Sequence, residues 1–295
     1  MAQPVLSLSS VRSAVASRSR RALVVSTAAG LALAAGLDVA CGSPPNAAPA
    51  PRPAPATAPA TAAEPQALVV KVLATYPHDT AAYTQGLVWN GGKLYESDGL
   101  YGSSSLREVN PKTGETLRRA PVPPGFFAEG LAVVGDRLIQ LPWQEGGACA
   151  SRKATFEKLA ELRYEGEGWG LCDDGKRLVM SNGSSRLTFR DRDTFAPRGS
   201  VQVTRAGQPI PQLNELECVD GAVYANVWQT DQIVRIDPAS GRVTATIDAS
   251  GLLTPEERAK ADVLNGIAYE PVKKTFLITG KLWPKMFEVV FEKRR

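Results

Sequence analysis

The chain has 295 residues with a formal net charge of +4, a length that suits one large domain or two average ones. Five of the 34 basic and two of the 30 acidic residues precede Ala67, so the remainder carries 29 basic and 28 acidic residues and is close to neutral. No basic stripe runs through this remainder, and we therefore predict no nucleic-acid partner.

The first 66 residues differ in composition from the rest. An apolar run over residues 22–37 follows a basic segment, and it is too short and too rich in small residues to span a membrane stably. This pattern predicts a secretory signal, and Arg20-Arg21 also resembles a twin-arginine export motif. Cys41 resembles the lipidated cysteine of a bacterial lipoprotein, although Asp38 stands where an apolar residue is usual, and a plain secretory signal cleaved nearby remains the alternative.

These features predict three regions. Residues 1–41 form a signal or lipoprotein leader, residues 42–66 form a Pro/Ala-rich extended linker, and residues 67–295 form one folded catalytic domain. The protein is expected to be exported, and to be either periplasmic or tethered to the cell envelope through a lipid on Cys41.

The folded region contains few residues suited to metal binding. Cys149, Cys172 and Cys218 lack zinc-type spacing, and the sequence leaves open whether any two of them pair. His78 is the single histidine of the chain, so it alone could supply a Ser-His-Asp triad. Because Pro77 and Asp79 flank it in a loop-like context, we expect a hydrogen-bonded structural histidine.

A short pattern recurs five times and indicates propeller blades, whose repeats are about 40–50 residues long. Its successive starts are 44, 40, 45 and 51 residues apart. The five copies are Gln85-Gly86-Leu87, Glu129-Gly130-Leu131, Trp169-Gly170-Leu171, Asn214-Glu215-Leu216 and Asn265-Gly266-Ile267. A turn and an apolar strand follow each copy, and the second repeat becomes irregular after Trp143.

These repeats predict an all-β fold, a five-bladed β-propeller in which the radial arrangement buries the faces of the sheets. The fifth repeat has only three strands, so residues 68–75 are expected to pair with residues 286–291 and close the ring. Thr254, Pro255 and two glutamates predict a short helix that extends to about Asp262.

The first residue of each repeat is expected to lie at one mouth of the central channel. Because adjacent strands of a hairpin are antiparallel, the end of each second strand returns to the same mouth. The ten residues concerned are Gln85, Glu129, Trp169, Asn214, Asn265, Asp98, Trp143, Asn182, Trp228 and Lys281. Three tryptophans around one glutamate and one lysine suggest a small-ligand pocket; the alternative is that the tryptophans only brace contacts between blades.

Several longer motifs resemble the plant-latex and bacterial glutaminyl-peptide cyclotransferase family. They run in a consistent order from about Val70 to the C-terminus: Tyr83-Thr84-Gln85-Gly86-Leu87, Phe126-Phe127-Ala128-Glu129-Gly130-Leu131, Glu167-Gly168-Trp169-Gly170-Leu171, Asn214-Glu215-Leu216-Glu217, Ala225-Asn226-Val227-Trp228-Gln229 and Thr279-Gly280-Lys281-Leu282-Trp283-Pro284. The resemblance implies an enzyme that closes N-terminal glutamine of peptides or proteins into pyroglutamate and releases ammonia. It departs around residues 146–150.

The resemblance also implies roles for individual residues. Glu129 corresponds to the proton-transfer group, and its apolar surroundings should raise its pKa. The pocket aromatics correspond to Tyr83 (where Phe is commoner), Phe127, Trp143, Trp169 and Trp228. The polar helpers correspond to Gln85, Asn214 and Lys281. We expect a monomer that needs no cofactor or catalytic metal, since the zinc-dependent animal glutaminyl cyclases are unrelated; a structural calcium-like ion in the channel is left open.

Two other functions are compatible with the same fold, because propellers carry many functions. One is a non-catalytic periplasmic propeller that binds peptides or partner proteins. The other is a calcium-dependent lactonase-type propeller with ligands such as Glu129, Asn182 and Asn214, although a tryptophan-rich rim suits a metal poorly.

Overall fold

The computed structural model describes residues 64–294. The predicted leader at residues 1–41, with Cys41, and all but the last few residues of the predicted linker at 42–66 therefore lie outside the described residues. The described part is an all-β structure, as the sequence predicted. Within residues 64–294, no helix has the length and apolar character needed to cross a membrane.

The first strand, β1, spans Gln66–Pro77, and three four-stranded antiparallel sheets follow it. The first sheet contains β2 (Thr84–Asn90), β3 (Lys93–Asp98), β4 (Ser105–Val109) and β5 (Thr116–Pro121). The second contains β6 (Ala128–Val134), β7 (Arg137–Pro142), β8 (Gly147–Arg152) and β9 (Lys158–Arg163). The third contains β10 (Leu171–Asp173), β11 (Leu178–Met180), β12 (Arg186–Arg190) and β13 (Pro197–Gln202). Each sheet is a meander in chain order.

The remaining strands form a small hairpin and one eight-stranded sheet. The hairpin joins β14 (Thr204–Arg205) to β15 (Gln208–Pro209). The large sheet includes β16 (Leu213–Val219), β17 (Ala222–Val227), β18 (Gln232–Ile236), β19 (Val243–Asp248), β20 (Leu264–Glu270), β21 (Thr275–Gly280) and β22 (Lys285–Lys293). Its strand order is β16-β17-β18-β19-β1-β22-β21-β20, so β1 lies between two meanders.

The predicted pairing of the first strand with the last is observed. In β1, Leu68 lies opposite Lys293 and Thr75 lies opposite Phe287 in an antiparallel register. The same strand also pairs in parallel with β19, where Leu68 lies opposite Ile247. This second pairing was not predicted, and it makes β1 the shared edge partner of the last two meanders.

The glycine of the repeated motif lies where the first strands of successive sheets approach each other. A Cβ atom on Gly86 would lie 2.6 Å from the backbone nitrogen of Leu131, and one on Gly130 would lie 2.6 Å from that of Leu171. No side chain fits at these distances, so glycine is required at these two close approaches of the inner strands. The recurrence of glycine therefore reflects the packing of one sheet on the next.

The fourth repeat replaces this glycine with Glu215, whose fully buried carboxyl group accepts hydrogen bonds from backbone N–H groups of two other strands. Leu87 N donates at 3.2 Å and Ile267 N at 2.8 Å. Burial, together with the negative charge of Glu217, raises the pKa of Glu215 well above its ordinary value, although the two backbone donors oppose the rise. Glu215 thus links β16 to both β2 and β20.

One disulfide joins neighbouring sheets, and it settles a pairing that the sequence left open. Cys172 of β10 is bonded to Cys218 of β16, and Cys149 of β8 is free and half-buried. The bond closes a segment of 46 residues, which restricts the unfolded chain.

His78 has the structural environment that the sequence predicted. It follows β1, is buried, and has one ring nitrogen 2.9 Å from the Trp283 carbonyl oxygen and the other 3.1 Å from a Glu96 carboxylate oxygen. Glu96 also accepts from the Thr84 hydroxyl at 2.7 Å. The histidine therefore ties the segment before β2 to the loop that follows β21.

The helix α1 (Pro255–Arg258) is shorter than predicted and ends before Asp262. Thr254 and Glu257 form the expected capping box at its start. The backbone then leaves the helix because Asp262 N donates to the Lys281 carbonyl at 2.9 Å and the Asp262 carbonyl accepts from Trp283 Nε1 at 2.9 Å. Contacts with the loop after β21 thus outweigh the local helical preference.

We predict that a substitution on the buried face of β1 destabilises the protein more than a substitution on its exposed face. Leu68 is 8% exposed and packs in one cluster with Ile247 and Phe287, whereas Leu73 of the same strand is 50% exposed. Leu68→Ala should lower the free energy of unfolding by about 2–4 kcal/mol, because it removes buried methyl groups and leaves a cavity. The matched control Leu73→Ala should change it by less than about 1 kcal/mol. Urea unfolding measures both values, and equal losses would contradict this role for β1.

Candidate active site

The strand register brings the predicted rim residues together in pairs. Thr84 lies opposite Asp98, Ala128 opposite Pro142, Leu213 opposite Val227 and Leu264 opposite Gly280. The start of each first strand is thus beside the end of its second strand. Residues more than 150 positions apart in the chain consequently come into contact, as Asn265 and Gln85 do.

Glu129, at the start of β6, has a buried carboxyl group that is only 6% exposed. Its Oε1 accepts a hydrogen bond from Gln85 Nε2 at 3.0 Å. Gln85 is held in turn by Asn265 Nδ2, which donates to Gln85 Oε1 at 3.3 Å and to the Thr84 carbonyl at 2.9 Å. Burial raises the pKa of Glu129 well above its ordinary value; Lys281 opposes this rise, while Glu167 and Glu145 add to it.

Lys281 follows β21 and is 3% exposed. Its ammonium nitrogen lies 4.7 Å from the centroid of the Tyr83 ring, a cation–π distance. Burial lowers the pKa of Lys281, and the negative charges of Glu129 and Asp262 counteract that effect. The site therefore places a carboxyl group that tends to keep its proton near an ammonium that tends to lose one.

The predicted aromatic residues form two edge-to-face groups. Phe127 is the centre of the first, with ring centroids 6.1 Å from Tyr83, 6.0 Å from Trp143 and 5.3 Å from Tyr101. Trp169 and Trp228 form the second, at 5.5 Å. Such offset arrangements are the favoured geometry for aromatic pairs.

Glu167 connects the two aromatic groups. Its Oε2 accepts from Trp143 Nε1 at 3.0 Å and from Trp169 Nε1 at 2.9 Å, and its Oε1 accepts from Gln144 Nε2 at 2.9 Å. The two indoles belong to different sheets, since Trp143 follows β7 and Trp169 precedes β10. One carboxylate thereby sets the orientation of two aromatic walls.

Asn214, at 2% exposure, is buried beside the inner strands, and its Oδ1 has no hydrogen-bond partner among residues 64–294. Two other rim positions make their hydrogen bonds elsewhere. Asp98 accepts from Arg107, Ser105 and the Tyr83 backbone, and exposed Asn182 accepts from Ser184. Within the described chain, no three His, Cys, Asp or Glu residues are grouped to hold a metal ion.

Comparison with known proteins places this site in a family. The family model described as glutamine cyclotransferase matches residues 47–291, which is most of the chain. The chain belongs to the glutamine cyclotransferase family. A glutaminyl-peptide cyclotransferase of Arabidopsis thaliana is 39% identical over 226 residues, which cover 75% of this chain and 70% of that protein. The crystal structure of Myxococcus xanthus glutaminyl cyclase matches with a TM-score of 0.72 and 42% identity, covering 79% of this chain and all of that one.

Sequence reasoning about this cyclotransferase-family chain gave no role to three residues that shape the site. They are Glu167 between the indoles, Asp262 near Lys281, and Gly99 beside Phe127. Glu167 stands two positions before a predicted pocket tryptophan, which was the available signal. Asp262 was taken only as the end of a helix, and nothing in the local sequence around Gly99 indicates that it faces Phe127.

We predict that Gly99→Ala disturbs the site. A Cβ atom there would lie 2.7 Å from Phe127 Cε1 and 2.9 Å from Gln85 Cγ, so both side chains must shift. Because displacements of about 1 Å can cost up to 100-fold in rate, kcat/KM for a glutaminyl peptide should fall about 10- to 100-fold. The control is Gly125→Ala, where a Cβ meets no atom within 4 Å. Equal activity of both variants in steady-state kinetics would contradict this geometry.

Proposed function

We propose that this protein converts the N-terminal glutamine of peptides or proteins into pyroglutamate and releases ammonia, with Glu129 as the proton-transfer group. The observation that carries the proposal is the buried Glu129 carboxyl, held by Gln85 beside Lys281 within a family of glutamine cyclotransferases. Membership of that family and the activities for which the two relatives are named support the substrate class.

The reaction needs little covalent chemistry from the protein. The substrate's α-amine attacks its own γ-amide carbon, a carbon–nitrogen bond forms, and a tetrahedral oxyanion results. One proton must then move from the attacking nitrogen to the leaving nitrogen before the old carbon–nitrogen bond breaks and ammonia departs. Because both reacting groups belong to one residue, holding it folded back supplies a large part of the acceleration.

Glu129 is suited to carry that proton. A terminal amine titrates at about 7.7–8.0, so part of it is already neutral near pH 8. A carboxyl group whose pKa is raised well above its ordinary value is, once ionised, a stronger base that can accept a proton from the amine and then deliver it to the leaving group. The Gln85 hydrogen bond occupies Oε1, and we assign Oε2 to the substrate.

Lys281 and Asn214 are the proposed groups that polarise the γ-carbonyl. Both are almost completely buried, and a positive charge or an amide donor in such surroundings interacts strongly with an oxyanion. Lysine needs no nucleophilic role, since the substrate carries its own amine at very high effective concentration. The Tyr83 ring beneath the Lys281 ammonium keeps that charge in place.

The aromatic side chains would bind the glutaminyl residue and exclude water. Water in the site would compete with the amine and give glutamate in place of the ring. We assign this role to Tyr83, Phe127, Trp143, Trp169 and Trp228, of which Phe127 is buried and the others are half-buried. The edge-to-face contacts among these rings support the assignment.

For the architecture, we propose a five-bladed propeller. The three separate sheets would be blades one to three, β16–β19 would be blade four, and β20–β22 with β1 would be blade five, closing the ring. The observed strand order and the pairing of β1 with β22 support this arrangement. We further propose a monomeric, exported protein with a leader at 1–41, a lipid tether at Cys41, a linker at 42–66 and a catalytic domain at 67–295.

The decisive experiment measures ammonia release from a glutaminyl dipeptide, with and without a chelator. We expect turnover that the chelator leaves unchanged. Glu129→Gln should lower kcat about 10²–10⁴-fold, the usual cost of removing a general acid or base, while KM stays within about threefold because the aromatic walls remain. Binding without turnover in the parent protein would favour a peptide-binding propeller, and chelator sensitivity would favour a metal-dependent one.

The same variant has a second expected effect, on stability. The pKa of Glu129 is higher in the folded protein than its unfolded value of about 4.3, so the carboxyl destabilises the fold at pH values above that value. Glu129→Gln should therefore raise the Tm near pH 7–8, and the gain should disappear toward pH 4. Thermal unfolding at both pH values checks this, and a Tm below that of the parent protein at pH 7 would contradict it.

We predict that the charge of Lys281 matters more than its identity. Lys281→Arg should retain more activity than Lys281→Ala, because arginine keeps a cation near the oxyanion, whereas removing an oxyanion donor typically costs about 10²–10³-fold in kcat. Steady-state kinetics on the same dipeptide compares the variants. If Lys281→Arg were fully inactive while Glu129→Gln remained nearly fully active, the roles assigned to Lys281 and Glu129 would be wrong.

A further inference from the structure

We propose that Glu167 is a positioning residue for the cyclisation, which fixes the indoles of Trp143 and Trp169 as walls of the substrate pocket. The inference rests on the proposed function and identifies what keeps that pocket open and ordered. It starts from the hydrogen bonds of Glu167, which a residue needed only for solubility would not make.

The hydrogen bonds of Glu167 match the needs of two indole N–H groups. An indole N–H can only donate, so each ring needs an acceptor when it lies against protein. Glu167 Oε2 serves both rings, at 3.0 Å and 2.9 Å, and Gln144 occupies Oε1. Moving this one carboxylate would therefore change the orientation of both walls at once.

The backbone around Glu167 is fixed before any substrate arrives. Gly168 N donates to the Trp143 carbonyl at 2.8 Å, and Tyr164 N donates to the Gly146 carbonyl at 2.9 Å. The Tyr164 hydroxyl also donates to the Pro142 carbonyl, and a Cβ atom on Gly168 would collide with that hydroxyl oxygen. The segment preceding β10 is thus held against the end of β7, which leaves Glu167 little freedom.

Glu167 also acts on Glu129 through its charge. Its hydrogen-bond donors, Trp143, Trp169 and Gln144, are all uncharged. Burial is the largest cause of the raised pKa of Glu129, and the negative charges of Glu167 and Glu145 raise it further. A change at Glu167 should therefore alter the pH dependence of the reaction, which a purely packing role would not.

The test compares Glu167→Ala and Glu167→Gln with Glu165→Gln, a matched control at an exposed position of the same loop. Ammonia release from a glutaminyl dipeptide gives kcat, KM and the pH profile, and acrylamide quenching of tryptophan emission reports indole order without requiring activity. Glutamine keeps an oxygen that can accept from both indoles but removes the charge, so it separates positioning from electrostatics.

We expect Glu167→Ala to raise KM about 10-fold or more, since both indoles lose a hydrogen bond to a charged group. Its tryptophans should be quenched more easily than those of the parent protein. Glu167→Gln should keep KM within about threefold of the parent value, while the limb of the kcat/KM profile that reports Glu129 moves to lower pH because a negative charge that raises its pKa is removed. Glu165→Gln should match the parent protein.

Other results of the same measurements would contradict the positioning role of Glu167. If Glu167→Ala matches Glu165→Gln in KM and quenching, or if it loses only thermal stability with KM and the pH limb unchanged, the positioning role is wrong. If Glu167→Ala fails to fold, an unshifted pH limb or a KM raised as far as about 10-fold in Glu167→Gln overturns the proposal. A parent protein that releases no ammonia would overturn the proposed function instead, and the quenching comparison would still decide whether Glu167 orders the tryptophans.

Discussion

The burial of the Glu129 carboxyl is the constraint on which the site depends. Burial raises the pKa of a carboxyl group because water no longer stabilises its charged form. Nearby charges and hydrogen-bond partners then raise or lower that pKa further. Here Gln85 holds one oxygen, Lys281 lowers the pKa, and Glu167 and Glu145 raise it. These partners come from different sheets, so the chemistry of the site follows from the way the sheets are brought together.

The sheets come together through the repeated motif. Gly86 and Gly130 allow the inner strands to approach until a Cβ would meet a backbone nitrogen. The residue just before each glycine, Gln85 or Glu129, is consequently delivered to the same end of neighbouring strands. The repeats therefore allowed the convergence of these residues at one end of the inner strands to be predicted from the sequence, as the contact of Asn265 with Gln85 shows.

Other features could not be predicted because their causes lie outside local sequence. The strands β8 and β9 carry no apolar period: the first is built of small buried residues such as Ala148 and Ala150, and the second is almost entirely exposed. The end of α1 depends on Asp262 bonding to the loop after β21. The pairing of Cys172 with Cys218 depends on which inner strands are neighbours. The role of Glu167 could not be predicted because it depends on the approach of two indoles from different sheets.

Two buried glutamates show how the same residue type is used in different ways. Glu129 and Glu215 both lie on inner strands, and burial raises the pKa of each well above its ordinary value. Both oxygens of Glu215 accept from backbone N–H groups of other strands, in β2 and β20, so its hydrogen-bonding capacity is used in joining these strands. Glu129 accepts one hydrogen bond within the described chain, from the side-chain amide of Gln85 to Oε1. A proton carrier needs an oxygen left for its substrate, and of the two carboxyl groups only Glu129 meets that requirement.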